Sequence, residues 1–228
     1  MLAALARLSH KYQLDQLLAA AIHRLKGTFT TQLDVWEKSG GFYPGSPLGL
    51  KYPNAIEALN LFRLLDRPDM IPVALYECCQ HGLAFILQGA TRKDGVTRES
   101  LSPSDLELCL QVRGELVRAT VRLLTELCES YTARLLLASS SPGCSSPGMC
   151  LGSLKILLDK CHENLRDCIF PDPLDSYYIE TLDGIAYNEE LCGACEDVFW
   201  EEYSHLRKKA WASLPRLMKV EVAEWDSA

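Results

Sequence analysis

Apolar residues recur every three or four positions along nearly the whole chain, and no stretch shows the strict alternation of a half-buried strand. The pattern predicts an all-α protein. In LAALARLSHKYQLDQLLAAAIHRLKG it predicts two helices broken near Tyr12-Gln13, with Gly27 as a stop after Arg24 and Lys26. TTQLDVWEK reads as a short helix, SGGFYPGSPLGLKYP as a turn-rich loop, and NAIEALNLFRLLD as a further helix. Pro68 opens PDMIPVALYECC at a favoured first-turn position, and Pro72 falls too early in that segment to break it.

The clearest start is Ser102-Pro103-Ser104-Asp105, which offers a hydroxyl cap, a proline at the first position and a carboxylate that can return to the cap's N–H. Leu106, Cys109, Val112, Leu116, Leu123, Leu127 and Tyr131 then carry one periodic stripe to about Leu137, a long helix for a globular protein. ASSSPGCSSPGMCLG is the one shift of composition and reads as a flexible linker. A helix from about Ser153 to Cys168, the proline-punctuated FPDPLDSYY and a last helix from about Glu189 to Ser213 follow. In that last helix Glu189, Glu190, Glu196, Asp197, Glu201 and Glu202 precede Arg207, Lys208 and Lys209, the order the helix dipole favours. The sum is an irregular helical bundle with one long central helix and a long C-terminal helix. Residues 1–138 form a helical region and 139–228 a cysteine-containing one, packed as a single unit, with no internal repeat.

At 228 residues the chain is long enough to bury a substantial core without staples. Its formal charge of −7 argues against a nucleic-acid groove, where Lys and Arg must neutralise phosphates, and turns the search toward protein partners. No run reaches the roughly 18 apolar residues of a membrane span. Arg7, His10 and Lys11 interrupt MLAALARL before a signal-peptide core can form. The ten cysteines are therefore expected in a reducing compartment, cytosol or nucleus, as free thiols or metal ligands.

Two pairs stand out: Cys144-x5-Cys150 in the Ser/Pro/Gly stretch and Cys192-x2-Cys195 where the last helix begins. Joined in one site they supply four thiolates, the donor set of a closed, structural zinc tetrahedron. A helix N-terminus favours the thiolate such a metal needs. The gap of five is wider than the usual spacing. Two other readings stay open. Cys192 and Cys195 form a Cys-x-x-Cys dithiol of the kind thiol-disulfide oxidoreductases use, although AYNEEL before it shows no strand pattern. Alternatively all four are ordinary thiols, which sits poorly with Cys144 and Cys150 in a polar stretch.

Cys78, Cys79, Cys109 and Cys128 fall within amphipathic helices and read as core or core-edge residues, as do Cys161 and Cys168, seven apart on one helix. His162 reads as a surface residue. Adjacent acids such as Glu189-Glu190 and Glu201-Glu202 diverge on a helix and read as solvated. No nucleotide-binding or zinc-protease motif occurs, and no motif places a nucleophile with His10 or His23, so no catalytic residue is assigned and a non-enzymatic protein is expected.

LARLSHKYQLDQLLAAAIHRL resembles the helix pair that follows the BTB/POZ fold and opens the adjoining BACK-like helical region. ELCGACEDVFWEEYSHLRKKAWASLPRLMKVEVAEW resembles the tail of a group of fungal BTB/POZ-domain proteins, and DMIPVALYECC and LSPSDLELCLQVRGEL are similar to segments between. The likeness spans nearly the whole chain. It implies a protein-interaction role and a second cysteine pair in the loop after the long helix, matching Cys144 and Cys150. The BTB domain itself, which would precede the first helix pair, is expected to be absent here. Dimerisation through that domain therefore does not carry over. Docking to a cullin ubiquitin ligase, which the family builds from the BTB domain plus the following helices, would be incomplete on residues 2–26 alone.

Overall fold

The computed structural model describes residues 2–39, 54–92, 94–136, 142–167, 170–174 and 191–226. They form an all-α fold: α1 Leu2–Lys11, α2 Asp15–Lys26, α3 Leu33–Lys38, α4 Asn54–Leu64, a 3-10 turn Pro68–Met70, α5 Ile71–Cys79, α6 Leu83–Gln88, α7 Pro103–Leu136, α8 Pro147–Asp167 and α9 Gly193–Leu217. A two-residue antiparallel pair, β1 Ala90–Thr91 and β2 Arg98–Glu99, is a small addition that periodicity does not reveal. The loop over 40–53 lies outside the described residues, as do Glu189, Glu190, Cys168 and the side chain of Cys161.

The helices divide into two compact units, 1–113 with 211–227, and 114–210 with 228, so that the divisions fall inside α7 and α9. In the first unit α1 pairs with α2 and α4 with α5. Its core is aromatic. Phe29 meets Phe62 edge-on at 4.7 Å, and Trp36 contacts both Tyr76 and Trp211. Beside the core lies the buried carboxylate of Glu99, held by Arg7 (2.9 Å), Asn60 (2.8 Å) and Arg92. Three donors from three segments offset the cost of burying that charge.

Three helices of this unit end alike. After α1, α4 and α9 a non-glycine residue takes a left-handed conformation: Gln13 (φ 55°), Asp66 (φ 49°) and Lys219 (φ 53°). In each case the next N–H reaches back five residues: Leu14 to Ser9 O, Arg67 to Phe62 O, and Val220 to Pro215 O. This is the Schellman closure, which satisfies carbonyls the last turn leaves open. Gly27, by contrast, stops α2 with an ordinary φ of −63°.

α7 starts where its capping signal places it, but the Asp105 carboxylate closes on the cap's hydroxyl instead of on its N–H. The Ser102 hydroxyl accepts the Asp105 N–H (3.1 Å), and the Asp105 carboxylate returns to that hydroxyl (2.9 Å) while Arg63 holds its other oxygen. At the far end of α9, Pro215 has no N–H to give the Trp211 carbonyl one turn back. The Trp225 indole supplies the missing donor at 3.0 Å and stacks on Trp211 at 5.0 Å. Asp226 completes the attachment: its N–H meets Thr31 O (3.0 Å), and its carboxylate takes the Leu33 N–H.

The second unit is built on a seam of three helices. Leu123, Leu124, Leu127, Cys128 and Tyr131 of α7 pack with Leu154 and Leu157 of α8 and with Phe199 and Tyr203 of α9. Tyr131 and Phe199 stack at 5.8 Å. The short segment 170–174 is tied down by backbone carbonyls: Thr120 donates to Phe170 O (3.2 Å), and the buried Arg207 guanidinium donates to Leu174 O (2.8 Å).

Candidate metal centre

The centre grows from two helix starts of the second unit. Pro147 fixes its own φ and lacks only an N–H that a helix start leaves unpaired, so Ser146-Pro147 begins α8. The Cys150 N–H closes the first turn on Ser146 O at 3.0 Å. The helix therefore begins six residues before Ser153, and Cys150 sits in its first turn instead of in the linker that SSPG suggests. In the same way α9 begins at Gly193, later than the Glu189 start that the charged pattern implies. Cys192 O accepts the N–H groups of Cys195 (2.8 Å) and Glu196 (3.0 Å), which makes Cys192 the residue at the helix cap and places Cys195 within the first turn. Cys144 follows the Pro142-Gly143 turn, where Gly143 adopts φ 82°.

Each half thus offers one sulfur from the chain entering a helix and one from its first turn. All four sulfurs, of Cys144, Cys150, Cys192 and Cys195, lie within 4.8 Å of one another. Cys144 and Cys192 are 3.6 Å apart, and the Cys192 N–H points at the Cys150 sulfur at 3.4 Å. A tetrahedron of zinc–sulfur bonds has edges of about 3.8 Å, so small side-chain rotations suffice to close the set on one ion. The donors fit in kind as well. Two helix N-termini face a cluster that would carry excess negative charge as a tetrathiolate, and N–H to sulfur bonds stabilise that charge.

The sulfurs are not equivalent. Cys150 and Cys195 are 0% and 1% exposed, whereas Cys144 and Cys192 are half-buried. Burial pushes the Cys150 thiol up to about 12 against the opposing Cys192 N–H. Burial also raises Cys144. Hydrogen bonds from the Ser145 and Cys195 backbones, aided by the neighbouring thiols, bring Cys192 down to about 6. Within the set the surroundings of Cys192 favour the thiolate and the burial of Cys150 opposes it, so a metal bound there would displace the Cys150 proton.

The other cysteines have different surroundings. Cys78, Cys79, Cys109 and Cys128 are buried, as their helical positions imply. Cys79 and Cys109 additionally bring their sulfurs to 3.4 Å. The hydrogen bond to Cys109, together with burial, holds the Cys79 thiol well above its ordinary value. Nothing in their spacing signals that tertiary pairing. His10, His23 and His162 are exposed. Glu201 is exposed too, but Glu202 is not simply solvated: it binds Arg134 at 2.6 Å and the Ser130 hydroxyl at 3.0 Å. Helix adjacency separates the two acids, and only one of them faces α7.

Comparison of the chain with protein-family models, with curated proteins and with solved structures finds no match. Among the described residues no helix is long and apolar enough to cross a membrane. What stands is an all-α chain whose four-cysteine cluster has the dimensions of a metal site.

Proposed function

We propose that the chain is a non-enzymatic protein-interaction module, related to the helical region that follows BTB/POZ domains, whose C-terminal half is held by a structural zinc on Cys144, Cys150, Cys192 and Cys195. The observation that carries the zinc reading is the meeting of four sulfurs at two helix N-termini. Four thiolates are a donor set that zinc prefers, and four protein ligands on one ion would leave no position for water, as in a structural site. A reducing compartment, cytosol or nucleus, keeps such ligands unoxidised. The interaction role rests on the acidic charge, which disfavours nucleic acid, and on the resemblance of the two ends of the chain to BTB-associated regions. Docking to a cullin ligase is the narrower form of that role, and binding of a purified cullin with and without a fused BTB domain tests it.

The zinc reading predicts about one zinc per purified chain. Cys195→Ser should lose it, and a strong chelator should lower the wild-type Tm by at least about 5 °C, given roughly 2.7 kcal/mol from ligand excess. Protein that is metal-free as purified, takes up no added zinc and ignores the chelator would end the proposal. One observation favours a second reading: the depressed Cys192 thiol at a Cys-x-x-Cys helix start suits a thiol-disulfide oxidoreductase. That reading requires turnover of a disulfide substrate that vanishes in Cys192→Ser, in metal-free protein. The near-complete burial of Cys195 and the presence of two further sulfurs favour the clamp.

A further inference from the structure

The four sulfurs divide into an inner pair and an outer pair, and the division cuts across the two sequence motifs. Cys150 and Cys195, each in a first helical turn, are shielded from solvent, while Cys144 and Cys192, each in the chain entering a helix, are half-exposed. The outer two are also the pair whose sulfurs stand 3.6 Å apart. A disulfide needs about 2.05 Å, and both partners lie outside regular helix, where a movement of that size costs least.

We propose that hydrogen peroxide opens this centre through its outer pair, joining Cys144 to Cys192 and releasing the metal. The inference rests on the zinc reading of the same site. One outer sulfur attacks a peroxide oxygen; the sulfur–oxygen bond forms, the oxygen–oxygen bond breaks, and the departing hydroxide takes a proton to become water. The second outer sulfur attacks the first, forming the disulfide and expelling the other hydroxide, which is protonated in turn. The two sulfurs lose two electrons, peroxide gains them, and two protons from solvent complete two waters. Two neutral sulfurs no longer hold the ion, and the inner pair, left unoxidised, is too few to retain it. Freed from the clamp, the first turns of α8 and α9 lose their mutual tie, while the apolar seam between the helices remains.

The test uses the full zinc-loaded chain. Its metal content is measured first, peroxide is then titrated in the presence of a chromophoric zinc chelator, and disulfides are mapped by peptide mass under non-reducing conditions. Release of about one zinc per disulfide, with Cys144 linked to Cys192 and zinc uptake restored by dithiothreitol, supports the proposal. Zinc that stays bound under peroxide, or leaves with a Cys192–Cys195 or Cys150-containing disulfide, overturns it while leaving the zinc reading intact. A chain that holds no zinc before oxidation removes both.

Discussion

The two units solve the same problem, fixing helices against one another, with different materials. In the first, aromatic side chains from distant segments meet directly: Phe29 on Phe62, and Trp36 on Tyr76 and Trp211. In the second, an apolar seam joins the middle of α7 to α8 and α9, but the starts of α8 and α9 carry Ser, Pro, Gly and Cys. Those ends have little apolar surface to bury, and the cost of ordering them falls on the sulfur cluster. Where large side chains are dense a helix start needs only a hydroxyl cap, as at Ser102; where they are sparse, a shared ligand takes over.

The contrast can be broken in several ways. The largest effect is expected from Trp211→Ala, which empties the stack between Trp36 and Trp225 and should cost about 3–5 kcal/mol in denaturant unfolding. The loss should be equal with and without a chelator; a loss that shrinks when metal is removed would mean the two supports are not separate. Gly143→Ala comes next. An L-residue at φ 82° costs about 1–2 kcal/mol, and because the turn aims Cys144, zinc affinity should fall along with stability. Unchanged zinc affinity would show that the turn does not position the ligand.

A smaller change of opposite sign is expected at Gln13. Glycine is at ease in the left-handed conformation that Gln13 adopts, so Gln13→Gly should stabilise by about 0.5–1 kcal/mol, read as a rise in Tm independent of zinc. The smallest effect concerns Asp69. Burial raises its carboxyl, but the hydrogen bonds and charges of Arg67 and Lys26 outweigh that and hold it below its ordinary value of 3.8. The unfolded chain then binds the proton more readily, so the stability Asp69 adds is present above about pH 4 and disappears as pH falls through the lowered value. Asp69→Asn should flatten the acid limb of the stability profile by under about 1 kcal/mol and leave neutral-pH chelator sensitivity unchanged.

Much of the fold was legible because periodicity is a local signal. Leu106 through Tyr131 mark the buried stripe of α7 directly, and the serine before Pro103 marks its start. The same grammar is present at Ser146-Pro147, but the glycine beside it and the serines around it imitate a linker, which hides the first turn of α8 and the place of Cys150 in it. The grouping of the four cysteines was recoverable because two oddly placed pairs each lacked a bland explanation. The 3.4 Å approach of Cys79 and Cys109 and the ion pair of Glu202 were not recoverable, since both depend on which helix faces which. Neither the Schellman ends nor the Trp225 bond to Trp211 carried a signal either: glycine is absent where it would have announced the former, and the latter compensates a proline through space.

That last bond bears on how the first unit closes. The first unit takes its final pieces, Trp211 and the tail through Asp226, from the end of the chain. Its N-terminal helices therefore seal only when a segment 180 to 193 positions later in the sequence docks on Thr31 and Leu33. That closing step is a long-range contact of the kind that slows folding most, whereas the seam of the second unit joins residues far closer in sequence, Leu123 to Tyr203.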